Sequence, residues 1–288
     1  MGIGAVGKLL NETIEGFLED EALTRGAAIA FFVVISIAPT LFVAVTIASW
    51  VYGQDAAQGA VGYQLRRFMS AESVDLLEIA IRHASGVSSS WINNVIGILV
   101  LTLTVSGVFG EMEDALNIIW KAPRKGSVLA RLARGRAMSL LLVIGLGFLL
   151  LVSMLLSTIV TSLSHYIAVQ TPYSPWAIAA LNVFVSTALL TVMFAAIYKT
   201  VPNTRIAWTD VGLGALGTAF LFEIGQVVLG FYFAKSSVGT PYGAAGGLIV
   251  LMIWAYCSAQ VFLLGAEFTK AYAAHYGTLR NSGGQRAE

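Results

Sequence analysis

Charge is scarce in this chain. Asp, Glu, Lys and Arg make up 11% of its 288 residues, less than half the roughly 25% of ordinary soluble domains. With 57% hydrophobic residues and a mean hydropathy of +0.78, that scarcity argues against a soluble enzyme and reads as an all-α, polytopic membrane protein. Cysteine is almost missing too. Cys257 stands alone, which excludes an intrachain disulfide framework, and its apolar surroundings predict a buried, unreactive thiol. The three histidines, His83, His165 and His275, are too far apart to suggest a ligand set, so no metal and no cofactor are expected. No glycine-rich phosphate loop is present, which argues against ATP drive from this chain. The first 26 residues lack the continuous apolar core of a secretory signal.

What is abundant is long apolar runs. A spanning helix needs about 20 predominantly apolar residues. Six runs qualify: Ala27–Tyr52, Trp91–Gly110, Ala137–Leu163, Trp176–Lys199, Trp208–Phe233 and Ala244–Phe268. Trp91, Trp176 and Trp208 open three of them, as interface anchors do. The expected fold is a single six-helix membrane domain over residues 1–275 with a flexible cytoplasmic tail, 276–288. Within residues 1–26, Ile3, Val6, Leu10, Ile14, Phe17 and Leu18 recur at helical spacing. They predict an amphipathic cytoplasmic helix, lying on the membrane surface or packed on the bundle. The first outer loop, 53–90, is too long for a tight turn, and Val74, Leu77, Ala80 and Ile81 predict helix there as well.

Basic residues set the orientation. With the amino terminus inside, 13 of the 17 Lys and Arg fall on inner segments and only Arg66, Arg67, Arg82 and Lys235 on outer ones. Both termini are therefore expected in the cytoplasm. The second inner loop is the most basic segment: Lys121, Arg124, Lys125, Arg131, Arg134 and Arg136 suit anionic lipid headgroups. A nucleic-acid partner would also require a soluble fold and aromatic platforms, and none is expected.

One residue is out of place. Glu223 lies just past the centre of the fifth run, where a charge costs about 2.5–3.5 kcal/mol on insertion scales. Gly212, Ala215, Ala219, Glu223, Gln226 and Gly230 share one helical stripe, so small residues would admit a neighbouring helix and the polar pair would point into that contact or a cavity beside it. No Lys or Arg stands mid-span to pair with it, so Glu223 is expected to be protonated or hydrated. Tyr256, Gln260 and Glu267 make a weaker stripe on the sixth run, and Asn182 and Ser186 lie one turn apart on the fourth. These seven residues are the candidate substrate or proton pathway. Pro39 beside Ser36, and Gly243, Gly246 and Gly247, are candidate hinges. Each Ser or Thr has a simpler reading: it bonds the preceding helical turn.

Several short motifs resemble the YihY/BrkB family of bacterial inner-membrane proteins. They are Phe222-Glu223-Ile224-Gly225, Tyr232, Pro241 to Gly247, Trp254 to Gln260 and Leu264 to Phe268, with Ala30-Phe31-Phe32, Leu116 to Trp120 and Pro202-Asn203 upstream. The resemblance covers residues 20–275 and implies six transmembrane helices, an inner-membrane location and a link to envelope lipid export. The family also carries a virulence label and a ribonuclease label. No cluster of carboxylates or histidines supports the second, so no enzyme is expected. Gln226 stands where close members carry lysine, and glutamine can only hydrogen-bond the glutamate. Two readings follow. One is a transporter or flippase-like protein for a lipidic or amphipathic substrate, with a lateral opening lined by Glu223, Gln226 and Asn182. The other is a non-catalytic scaffold that docks an envelope protein partner through the first outer loop. Oligomeric state is open in both.

Overall fold

The structure is a computed structural model and describes residues 3–52, 79, 91–122, 174–204, 206–235 and 246–277. Among the described residues there are six helices and no strand: α1 (Ile3–Glu19), α2 (Ala22–Tyr52), α3 (Trp91–Ile119), α4 (Ser174–Thr200), α5 (Trp208–Lys235) and α6 (Gly246–His275). Among the described residues three stretches are long and apolar enough to cross a membrane: Val183–Thr200 in α4, Trp208–Phe233 in α5 and all of α6. The expected third span, Ala137–Leu163, lies outside the described residues. So do the tail beyond Gly277 and the outer loop 53–90, apart from helical Ile79.

The helix ends have local causes. Ser174-Pro175 opens α4 with proline at a position where no intrahelical donor is needed. α5 carries Asp210 in its first turn and Lys235 in its last, as the helix dipole favours. α3 closes on a paired C-terminal lock: Lys121 takes φ 47°, its N–H donates to Ile118 O at 2.9 Å, and Ala122 N–H reaches Asn117 O at 2.8 Å. α3 thus runs nine residues past the expected end at Gly110, because Ala115, Leu116, Asn117 and Ile119 are buried on it. Pro39 lies within the unbroken helix α2, and its side chain is outside the described ones.

The chain divides into two compact units. The first comprises Met1–Asp20, Ala115–Glu223 and Phe262–Glu288. At its core Tyr198 of α4 is fully buried, and its hydroxyl donates to Phe262 O on α6 at 2.6 Å. The Tyr198 ring lies 5.3 Å from that of Phe262, and Phe194 packs on both. α5 and α6 meet through reciprocal notches, in which Gly214 faces Thr269 and Gly265 faces Thr218, leaving no room for a Cβ at either glycine. Both threonines are buried and donate to carbonyls four residues back, Gly265 O and Gly214 O. Two motifs prominent in the sequence meet here as well: Asn117 Oδ1 accepts the N–H of Asn203 at 2.7 Å, joining the end of α3 to the α4–α5 turn. Lys199 donates to Ile206 O across that turn and lies over the Trp208 ring.

The second unit comprises Glu21–Asp114 and Ile224–Val261. Gly107 of α3 takes the edge of the Phe32 ring of α2, and Gly26 of α2 takes the amide of Gln260 of α6.

Filling a notch should cost stability. Overpacking typically costs about 1–3 kcal/mol, more than the roughly 0.5–1 kcal/mol that Gly→Ala gains inside a helix. Gly214→Ala and Gly265→Ala should each lower the thermal unfolding temperature in detergent, while Gly212→Ala, with open space around it, should not. Equal behaviour of the three variants would refute the notch packing.

Candidate functional site

α5 has 28 residues. At 1.5 Å per residue Glu223 stands about 22 Å from Trp208 and about 18 Å from Lys235 along the axis. The expected small-residue stripe is only partly buried: Gly212 and Gln226 are half-buried and Gly230 is exposed with open space around it. Ala215 and Ala219 are fully buried, whereas Leu213, Leu216, Phe220, Val227 and Phe231 are exposed. Glu223 is half-buried between these faces. Its partner is Thr187 of α4, whose Oγ1 donates to Glu223 Oε2 at 2.8 Å.

Thr187 Oγ1 also lies 2.9 Å from Val183 O. One hydroxyl hydrogen serves one acceptor fully at a time. Thr187 was not among the residues singled out by sequence. It follows Ser186, one of the candidates, but points about 100° further round α4.

The other candidates are distributed along α4, α5 and α6. Gln226 is half-buried, and its Oε1 accepts from Trp254 Nε1 of α6 at 3.1 Å. Gln260 donates through Nε2 to Leu23 O of α2 at 3.2 Å, while its Oε1 is buried with no donor in reach. Ser186, Tyr256 and Cys257 are half-buried, so the thiol is more open than the sequence suggested. The side chain of Asn182 lies outside the described residues, so the expected joint lining of an opening by Glu223, Gln226 and Asn182 does too. Ser36 bonds Val33 O in the preceding turn at 2.9 Å, its simpler reading. Gly246 and Gly247 are buried at the start of α6, and Gly243 is outside the described residues. Of the basic loop, Lys121 is exposed at the end of α3. Arg124, Lys125, Arg131, Arg134 and Arg136 are outside the described residues.

Glu267 has a different setting. Near the C-terminal end of α6 it is 1% exposed, and α1 lies against it. A Cβ on Gly16 of α1 would come within 2.7 Å of Glu267 Oε2, so glycine there makes room for the carboxyl group. Lys270 Nζ bridges Glu267 Oε2 at 3.0 Å and Asp20 Oδ2 at 3.2 Å. Farther along the same two helices, His275 Nε2 meets Glu12 Oε2 at 2.5 Å. α1 is therefore packed on the end of α6 through Glu12, Gly16 and the adjoining Asp20, with Leu9 and Thr13 buried on the same helix, while Leu10, Ile14 and Leu18 of its apolar stripe remain exposed. The sequence pointed to Glu267 alone. Its partners Asp20 and Lys270 had no signal of their own.

Among the described residues no three His, Cys, Asp or Glu side chains are grouped as a metal site requires. No solved structure matches the chain. Curated relatives do. A UPF0761 membrane protein of Tolumonas auensis is 30% identical over 84% of this chain and 77% of its own length. Another, from Azotobacter vinelandii, is 30% identical over 88% of this chain, which spans only 60% of that relative. YfkH of Bacillus subtilis, a protein named as ribonuclease-like, is 25% identical over 90% of this chain and 92% of its own. The family signature described as Virulence factor BrkB matches residues 13–288. Apolar helices, membrane-protein relatives and that match lead to one conclusion: the chain is a membrane protein of the BrkB family.

Proposed function

We propose that this protein is a multi-pass transporter of the bacterial inner membrane, with both termini in the cytoplasm, that moves an amphipathic, lipid-like envelope molecule. The observation that carries this reading is the Glu223–Thr187 pair midway along an apolar helix. A carboxyl group at that depth is expensive to keep, and such residues mark substrate and proton routes by default. The pair lies at the edge of an exposed Leu, Phe and Val face. A headgroup could exchange hydrogen bonds with Glu223 and Thr187 while its acyl chains stay in lipid. The cationic loop starting at Lys121 would gather anionic headgroups at the inner leaflet. The ribonuclease-like name belongs to one relative, and the transport reading does not draw on it.

Reconstituted in liposomes, the wild-type protein should exchange a fluorescent phospholipid between leaflets. Glu223→Gln keeps the shape and a hydrogen-bond acceptor but removes the acid. It should slow exchange at least tenfold, about 1.4 kcal/mol in barrier. Exchange at the wild-type rate in this variant, or none in the wild type, counts against the reading.

The pair also makes a stability prediction. Hydrogen bonds between transmembrane helices average about 0.6 kcal/mol, with maxima near 1.7. Thr187→Val should lower unfolding free energy within that range and Thr187→Ser should restore it. A valine variant as stable as wild type would mean that the pair contributes nothing to helix association.

A further inference from the structure

The Glu223–Thr187 pair is rich in acceptors and poor in donors. Glu223 brings two carboxyl oxygens. Among the described residues the one hydrogen that reaches them is that of Thr187 Oγ1, at 2.8 Å from Oε2. That hydrogen has a second claimant in Val183 O, 2.9 Å from the same hydroxyl. The hydroxyl oxygen keeps acceptor capacity of its own. Charge is unbalanced in the same sense. From Ala137 to Tyr198 the sequence holds no Asp, Glu, Lys or Arg. On the two helices that carry the pair the basic residues are Lys199 and Lys235, each about 18 Å away along its own helix. Lys199 lies over the Trp208 ring and Lys235 over Phe231. Lys270 of α6 is engaged with Glu267 and Asp20. Beside the pair the surface is apolar: Phe184, one turn from Thr187, is 71% exposed, and Phe220, one turn from Glu223, is 61% exposed.

We infer that the headgroup recognised at this pair carries a primary ammonium, so that the substrate is an amine-bearing phospholipid-like molecule and not a purely anionic lipid. This rests on the transport reading and names its substrate class. An ammonium brings three N–H donors and one positive charge. Its donors suit the two Glu223 oxygens and Thr187 Oγ1, and its charge offsets a carboxylate that would otherwise stand alone in hydrocarbon. A phosphate without an amine brings only acceptors and negative charge, and the pair has one contested hydrogen to offer it. Discrimination therefore comes from repulsion as well as attraction. The phosphate of an amine-bearing headgroup still suits the cationic loop that begins at Lys121.

The test uses the full-length protein in phosphatidylcholine vesicles with trace lipids labelled on the acyl chain. The three tracers differ only at the headgroup: phosphatidylethanolamine, its N-acetyl derivative, which has lost the positive charge, and phosphatidylglycerol. Like charges brought together cost several kcal/mol, so phosphatidylethanolamine should exchange between leaflets at least about tenfold faster than the other two. Glu223→Asp should keep this order. Glu223→Gln should slow phosphatidylethanolamine until the three rates agree within about twofold, because the charge that discriminates is gone. Loss of selectivity separates this role from simple destabilisation, which would slow all three alike. Equal exchange of the three lipids by the wild type would overturn the inference while the transport reading stands. A preference that survives in Glu223→Gln would overturn it too, as would uptake of soluble ethanolamine without lipid exchange, which would make the ligand a free amine. Exchange of none of the lipids would overturn both the inference and the transport reading.

Discussion

Hydrocarbon has no hydrogen bonds to give, and the polar residues on these helices are placed by that constraint. Each polar group within a span must find a partner on its own helix or a neighbouring one. Thr218 and Thr269 solve the problem locally by bonding carbonyls one turn back, while their side chains fill the glycine notches of the facing helix. Tyr198 solves it at longer range, with its hydroxyl on Phe262 O. Gln226 and Gln260 reach Trp254 and Leu23 O. Helix contacts made this way need small residues at the crossing, and the glycines at 26, 107, 214 and 265 are where side chains of the facing helix come closest. Glu223 meets the same constraint with a single hydroxyl, which itself has a second acceptor to serve.

Much of this was legible in the sequence. The apolar runs announced the helices, and the spacing on α5 pointed to Ala215 and Ala219, which are buried, but Gly230 of the same stripe is exposed and the glycine that packs against α6 is Gly214. Helix ends were less legible because hydropathy marks where a membrane would stop, not where a helix does. α3 continues past Gly110 through Glu111, Glu113 and Asp114 to bury Leu116 and Ile119, a tertiary choice that composition cannot report. The partners of the polar residues were least legible. Thr187 lies 36 residues from Glu223. Asp20 lies 250 residues from Lys270 and Glu12 lies 263 from His275. No periodicity links positions so far apart.

The N-terminal helix had two readings in the sequence. Its periodic apolar residues suggested either a membrane-surface helix or one packed on the bundle. Ion pairs and a glycine contact bind one face of α1 to the end of α6, which a helix merely resting on lipid would not require. The stripe Leu10, Ile14 and Leu18 stays outside that contact.

The central claim is that the Glu223 side chain faces a hydrated or protein-lined interior within the bilayer, not the acyl chains. Thiol accessibility measures this directly. In a Cys257→Ser background, a cysteine replacing Glu223 should react with a membrane-impermeant, water-soluble thiol reagent, while one replacing Phe220 on the exposed apolar face should react only with a lipid-soluble reagent. Position 223 sealed to the aqueous reagent and labelled from lipid, as position 220 is, would contradict the account.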